Sequence, residues 1–268
     1  MLAEDLPHGD LTTFALGIGD RPGRMDFAAR GAFVVACVED AARLIELAGG
    51  SAQSVCRSGE ALADKQPILT ATGPAEALLA AWKVAQTLVE ATSGIATATR
   101  RLVEAAERGG GAAVACTRKT FPGSRAAALK AVMAGGGTPH RLGLSDSILL
   151  FPEHRVFLGA DLAGAVARLR RLAPEKKVVA EAATLDDGLA LAEAGVDVLQ
   201  LEKFPPERVA EMAARLAERG LRPLLAAAGG IDGGNAEAYV RAGAKVLVTS
   251  SPYWAKPAEV QVTFSAGE

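Results

Sequence analysis

The chain has 268 residues, half of them apolar and only 4% aromatic, with a formal net charge of -2. That length suits one large domain or two smaller ones with a sizeable core, and the near-neutral charge excludes a role built on non-specific nucleic-acid binding. No uncharged run approaches the ~18 residues of a membrane span, and the acidic N-terminus MLAEDLPHGD is unlike a signal peptide. The expectation is a cytoplasmic protein that binds neither membrane nor nucleic acid. Cys37, Cys56 and Cys116 are widely spaced, form no CxxC pair, and read as reduced, buried thiols.

Residues 5–13, DLPHGDLTT, form a polar, turn-rich lead. His8 and Asp10 have ligand chemistry, but a turn in which Asp caps the following segment is the simpler reading. Residues 27–38 alternate weakly and turn β-like at FVVACV, and residues 39–48 have helical spacing. Short strand-like pieces follow, ending in a strand at 67–72 and a turn at Gly73-Pro74. From 75 to 92 Leu78, Leu79, Trp82, Ala85, Leu88 and Val89 share one helical face. Ser93-Gly94-Ile95 reads as an interruption, with a second helix from 96 to about 108. Mixed strands with helices predict an α+β layer over this first part.

Beyond residue 110 apolar runs alternate with helical segments. The runs lie at 112–117, 147–151, 178–182, 196–202, 223–229 and 245–250. The helices between them are well punctuated: Thr184 can cap one, Pro205-Pro206 opens another, and Gly195, Gly220 and Gly243 stand where helices stop. Near-continuous apolar strands joined by helices predict a parallel sheet covered on both sides. Six such strands are too few for a full eight-stranded barrel, so an incomplete (β/α) barrel is expected. The tail, EVQVTFS at 259–265, alternates cleanly and is expected to return to pair with the N-terminal layer. The predicted division is therefore residues 1–94 plus 252–268 as an α/β sandwich, and 95–251 as the barrel.

The stretch 117–141, TRKTFPGSRAAALKAVMAGGGTPHR, carries five basic side chains, Arg118, Lys119, Arg125, Lys130 and Arg141, together with His140 and no acid. Arginine suits bidentate recognition of carboxylate or phosphate, and lysine adds a point charge. A pocket for an anionic small molecule is one reading; a solvated basic helix face is the other. In (β/α) barrels functional groups sit at the carboxyl ends of strands. Here those ends carry Arg118-Lys119, Glu181, Glu202-Lys203, Gly229-Gly230 and Thr249-Ser250-Ser251. Cations, two carboxylates and glycine amides ahead of a helix could receive a phosphorylated sugar and a metal. His154 is a further candidate ligand, or simply part of a loop.

The run TRKT-x-PG-x-R, then LK-x-AV, GGG and HR-x-GL-x-D resembles the quinolinate phosphoribosyltransferase (nicotinate-nucleotide pyrophosphorylase) family. The lead EDLPHGDLTT, SGIAT at 93–97 and the order Glu181, Glu202-Lys203-Phe204, GGI are similar too, so the resemblance covers nearly the whole chain. LLFPEH at 149–154 looks most like its ModD branch, associated with molybdenum transport. The resemblance implies a type II phosphoribosyltransferase architecture: an N-terminal α/β sandwich domain plus an incomplete barrel. It implies a homodimer with a shared active site, able to assemble further, and transfer of phosphoribose from phosphoribosyl pyrophosphate with Mg²⁺. It also implies that Arg118, His140 and Arg141 hold an acidic acceptor with Lys119 and His154 nearby. Glu181 and Glu202 would face ribose hydroxyls and Mg²⁺, with Lys119 counted beside them as catalytic. Gly229, Gly230, Ser250 and Ser251 would hold the 5′-phosphate, and Lys83 would reach into the partner's site.

Several positions depart from the family pattern. Lys83 stands where quinolinate enzymes carry arginine, and Phe151-Pro152-Glu153-His154 replaces Lys-Asp-Asn-His. Glu202-Lys203-Phe204 replaces Asp-Asn-Phe, Ala228 a serine, and Ser250 a glycine. Replacing a cation by an apolar ring at Phe151 removes charge complementarity and predicts an acidic heteroaromatic acceptor other than quinolinate. The alternatives are a true quinolinate enzyme of NAD biosynthesis and a non-catalytic binder of molybdate-like oxyanions or a nucleotide.

Overall fold

The structure, a computed structural model, describes residues 1–159 and 161–267. It divides into two compact units: Met1–Arg100 with Pro122–Gly136 and Trp254–Glu268, and Arg101–Phe121 with Gly137–Tyr253. No helix among the described residues is long and apolar enough to cross a membrane.

The first unit opens with two short helices, α1 (Leu2–Asp5) and α2 (Leu11–Leu16). Asp10 caps α2 as expected, its carboxylate accepting from the Thr12 and Thr13 amides. The strands are β1 (Pro22–Arg30), β2 (Phe33–Val34), β3 (Ser51–Ser54), β4 (Ala61–Leu62) and β5 (Pro67–Pro74). The helix α3 (Val38–Leu47) precedes β3. The terminal strand β13 (Glu259–Ala266) does return to this layer, pairing antiparallel with β1 in a sheet of order β13-β1-β5-β3. Alternation along β1 sends Met25, Phe27 and Ala29 inward, where they meet Ile45, Ile68 and Leu78.

Three local expectations change here. The FVVACV stretch is mostly not strand: β2 pairs only with the two-residue β4. Its remaining amides are taken elsewhere, Val35 by the Glu60 carbonyl, Ala36 by Ser93 Oγ and Val38 by Ser58 Oγ. Gly73-Pro74 is not a turn, because both residues stay in register against Pro22-Gly23 of β1; proline is tolerated at that strand end. Most clearly, Ser93-Gly94-Ile95 does not interrupt the helix, and α4 runs unbroken over Ala75–Arg108. Ser93 and Gly94 serve neighbours instead. Ser93 Oγ accepts the Ala36 amide at 3.0 Å, and a Cβ on Gly94 would lie 2.4 Å from the Lys256 carbonyl oxygen. Gly94→Ala is therefore expected to lower stability by roughly 1–3 kcal/mol, the range for overpacking, seen as a reduced melting temperature. An unchanged melt would remove close approach as the reason for this glycine.

The helix α5 (Arg125–Ala134) also belongs to the first unit. Lys130 Nζ lies 2.5 Å from Asp40 on α3, and the Arg100 guanidinium donates to the Gly135 and Ala134 carbonyls at its end. The basic stretch at 117–141 is thus not one cluster: Lys130 is neutralised by a carboxylate and Arg125 is exposed.

The second unit contains β6 (Ala113–Cys116), β7 (Thr138–Pro139), β8 (Ile148–Leu150), β9 (Val178–Ala182), β10 (Val198–Glu202), β11 (Leu224–Ala228) and β12 (Val246–Thr249). Helices α6 (Pro152–Arg155), α7 (Leu162–Leu172), α8 (Leu185–Glu193), α9 (Pro206–Glu218) and α10 (Ala236–Arg241) alternate with them. All seven strands are parallel, in the order β7-β6-β12-β11-β10-β9-β8. The six predicted strands are all present, and the short β7 is an addition that its Thr-Pro sequence did not announce. The edge strands β7 and β8 do not pair, so the sheet is a curled, open barrel. The caps fall where expected: Thr184 Oγ1 accepts the Asp187 amide, and Pro206 opens α9.

All three cysteines are free and buried. Burial pushes the thiols up to about 11 at Cys37 and Cys56 and about 12 at Cys116, which leaves them protonated and inert near neutrality.

Candidate active site

The carboxyl ends of the open barrel's strands surround a cavity of about 830 Å³. Eleven of the twelve residues singled out in the sequence line it: Arg118, Lys119, His140, Arg141, His154, Glu181, Glu202, Gly229, Gly230, Ser250 and Ser251. Lys83 is the exception. It lies in the first unit, exposed on α4, its ammonium 4.0 Å from the Trp82 ring centroid and 3.2 Å from Gln86 Oε1.

Strand geometry places the cations. The His140 amide donates to the Cys116 carbonyl, setting His140-Arg141 beside the end of β6. The Thr117 amide donates to Thr249, and Tyr253 OH donates to the Thr117 carbonyl at 2.8 Å, fixing the strand end that carries Arg118. Arg141 is only 8% exposed, and none of the salt bridges among the described residues includes it. Burial, then the charge of Arg118, draws its pKa below the usual guanidinium range. Two neighbouring cations, one buried and without a salt bridge among the described residues, have the chemistry to receive an external anion. Burial, then Arg141, also lowers the His140 pKa, so its imidazole is neutral at pH 7 and available as a hydrogen-bonding group.

Phe151 caps α6 and stacks on His154, ring centroids 5.8 Å apart, while the Arg141 guanidinium lies 5.5 Å from the Phe151 centroid. His154 Nδ1 accepts the Phe151 amide at 3.0 Å, so one nitrogen is committed to the local turn. The next residue, Arg155, is held by both carboxylate oxygens of Asp187 and donates to the Glu181 carbonyl.

Across the cavity β9 and β10 present Glu181 and Glu202. Burial, then repulsion from Glu202, raises the Glu181 pKa, while a hydrogen bond from Gln200 opposes the rise. Beyond β11 comes the turn Gly229-Gly230, with φ of 87° and 74°. Asn235 Nδ2 holds the Gly230 carbonyl, and Thr249 Oγ1 donates to the Ile231 carbonyl and accepts the Ser251 amide. Amides in such a left-handed turn can receive anionic oxygens.

Gln200, Lys203 and Glu153 are among the lining residues that were not counted as site residues. Gln200 is a polar side chain at a buried strand position, a signal present in VDVLQLE. Lys203 adopts φ 58°, a left-handed backbone unusual for lysine. Glu153 lies close enough for its charge to raise the Glu181 pKa. Lys203 and Glu153 adjoin Glu202 and His154 in the sequence, so their place at the cavity follows from those neighbours.

An open parallel barrel with cations, paired carboxylates and a glycine turn gathered at its strand ends defines a type II phosphoribosyltransferase. The comparisons agree. The quinolinate phosphoribosyl transferase N-terminal domain model matches residues 10–93 and the C-terminal domain model residues 95–261. The chain belongs to the quinolinate phosphoribosyl transferase family and is a pentosyltransferase. A Rhodobacter capsulatus protein named "Putative pyrophosphorylase ModD" is 51% identical over 245 residues, 91% of this chain and 94% of that one. A protein of the same name from Escherichia coli O6:H1 is 37% identical over 266 residues, covering 98% and 94%. The nicotinate-nucleotide pyrophosphorylase structure from Francisella tularensis superposes with TM-score 0.88 at 25% identity, covering 98% of this chain and 93% of that one.

Proposed function

We propose that the protein transfers phosphoribose from phosphoribosyl pyrophosphate to a ring nitrogen of an acidic heteroaromatic acceptor other than quinolinate, in a molybdenum-related context. The bond from the ribosyl anomeric carbon to the diphosphate oxygen breaks, pyrophosphate leaves with the electron pair, and the carbon–nitrogen bond forms. The observation that carries this reading is the buried Arg141 beside Arg118, facing Glu181 and Glu202 across one cavity. The cations suit an acidic acceptor and the carboxylates a sugar with developing positive charge. Phe151 favours an altered acceptor, because its ring sits where the family pattern carries lysine. The molybdenum context rests on the name of the relatives.

Mg²⁺ fits the donor set. Glu181 and Glu202 are hard oxygen donors whose charges interact, and among the described residues no larger His/Cys/Asp/Glu group is arranged for a metal. Mg²⁺ is commonly held by one or two carboxylates with water and substrate phosphates completing its shell. When bound it would neutralise charge on the departing pyrophosphate. Around it, the Gly229-Gly230 turn with Ser250 and Ser251 would hold the 5′-phosphate, and Lys119 would face the diphosphate. We place Lys83 at the cavity of a second copy in a homodimer.

The test is ³¹P NMR on the purified protein with Mg²⁺ and phosphoribosyl pyrophosphate, adding quinolinate and then other acidic heterocycles. Pyrophosphate appearing with an acceptor other than quinolinate is the expected result, with a lower rate for Lys83→Ala. Efficient turnover of quinolinate would overturn the altered acceptor, and wild-type rates for Lys83→Ala would remove that residue from the site. No pyrophosphate with any acceptor would overturn the transferase reading and favour an oxyanion binder, with molybdate as the next titrant.

A further inference from the structure

Gln200 is only 4% exposed on β10 and lines the cavity. It stands in register with Glu181 on the neighbouring strand and two residues before Glu202. Side chains at paired positions, and at i and i+2 of one strand, share a sheet face. Its Nε2 donates to Glu181 Oε2 at 2.8 Å, while its own Oε1 is buried with no hydrogen-bond partner among the described residues. An orphaned buried acceptor is destabilising, because it has given up water without a replacement partner. An apolar side chain of the same length would fill the position without that cost. The surroundings would welcome it, since Ala226 pairs with Gln200 across β11 and forms an apolar cluster with Ala228 and, on the strand beyond, Val248. The fold therefore does not ask for glutamine here; Glu181 does.

We propose that Gln200 is the positioning residue for the sugar-binding carboxylate: its amide ties one oxygen of Glu181 to the barrel floor and leaves the other to accept a ribosyl hydroxyl. The chemistry selects the sugar over the acceptor. Glu181, Glu202 and the Gln200 carbonyl are all acceptors, so this corner of the cavity is complementary to hydroxyl donors. An acidic heterocycle brings carboxylates, which these groups repel, and finds its partners at Arg118 and Arg141 instead. Without the tie, the Glu181 side chain rotates freely and must be ordered on binding.

The inference rests on the transferase reading, and the experiment separates the two. Gln200→Met keeps the length and removes the amide. Isothermal titration with Mg²⁺ and phosphoribosyl pyrophosphate, and separately with inorganic pyrophosphate, is run on wild type and variant, with thermal melts of both ligand-free proteins. The expected result has three parts. The Kd for phosphoribosyl pyrophosphate rises about tenfold, the loss of roughly one hydrogen bond. The Kd for inorganic pyrophosphate, which has no sugar hydroxyl and meets Glu181 only through Mg²⁺, rises by clearly less. The ligand-free variant melts at or above wild type. In steady state the KM for phosphoribosyl pyrophosphate rises while that for the acceptor does not. If wild type binds phosphoribosyl pyrophosphate and the variant binds it equally well, the inference fails alone. A variant that melts lower and loses both ligands equally assigns Gln200 to the fold and also overturns it. Absence of binding by wild type removes the transferase reading and the inference together. Should Gln200→Met not fold, Gln200→Leu provides the same comparison.

Discussion

Arg141→Ala is expected to abolish productive binding of the acidic acceptor while leaving the fold intact. The guanidinium is buried, lies near a second cation and forms no salt bridge among the described residues. Breaking a buried ion pair normally destabilises a protein because one charge is left behind. No salt bridge among the described residues includes Arg141, so the melting temperature should hold or rise as repulsion from Arg118 is relieved. The loss appears in binding instead. A charge-assisted hydrogen bond contributes about 1.5–3 kcal/mol, or roughly ten- to hundred-fold in affinity. Isothermal titration with a dicarboxylate probe such as quinolinate measures it directly. Arg141→Lys should fall between, keeping charge but losing the planar fork and its packing on Phe151. Equal affinity in wild type and Arg141→Ala would move the anion site elsewhere.

Gly229→Ala is expected to damage both stability and phosphate binding. The residue has φ 87°, where an L side chain is strained. An added Cβ would also meet Lys203 Cγ at 2.7 Å and both the Lys203 amide nitrogen and Glu202 Oε1 at 3.0 Å. The Lys203 stem can swing aside, but its amide cannot, because it donates to the Ala228 carbonyl at 2.7 Å. The left-handed conformation alone costs a non-glycine residue about 1–2 kcal/mol, which corresponds to a fall of roughly 2–8 °C in melting temperature. Movement of the turn displaces its amides and crowds Glu202, so affinity for inorganic pyrophosphate and for phosphoribosyl pyrophosphate should both fall. A variant that melts normally and binds both ligands normally would exclude the turn from the phosphate site.

These two residues differ in how far the sequence announced them. Gly229 stood out because a glycine pair between an apolar strand and a helix has few other uses. Arg141 stood out for its charge, but nothing local separated it from Arg125 and Lys130. The distinction came from Asp40, which lies far away in sequence and neutralises Lys130. The Ser93-Gly94 break was expected because glycine weakens a helix and serine competes for backbone hydrogen bonds. Both preferences are weak beside the contacts that α4 makes through those residues, and the helix continues.

What the sequence determined by itself follows from short-range periodicity and capping. Alternation along β1 and β13, the apolar runs of the parallel strands, and the caps at Asp10, Thr184 and Pro206 are all read within a few residues, because backbone geometry and local hydrogen bonds decide them. The strand-end positions of Arg118, Glu181, Glu202 and Gly229-Gly230 follow once the barrel is accepted. Tertiary structure alone decided which cations remain unpaired, that Gln200 ties down Glu181 across two strands, and that Lys203 takes a left-handed backbone beside Gly229. Each depends on groups brought together by strand pairing and sheet curvature, and the energies that separate a neutralised charge from a free one act across those contacts rather than along the chain.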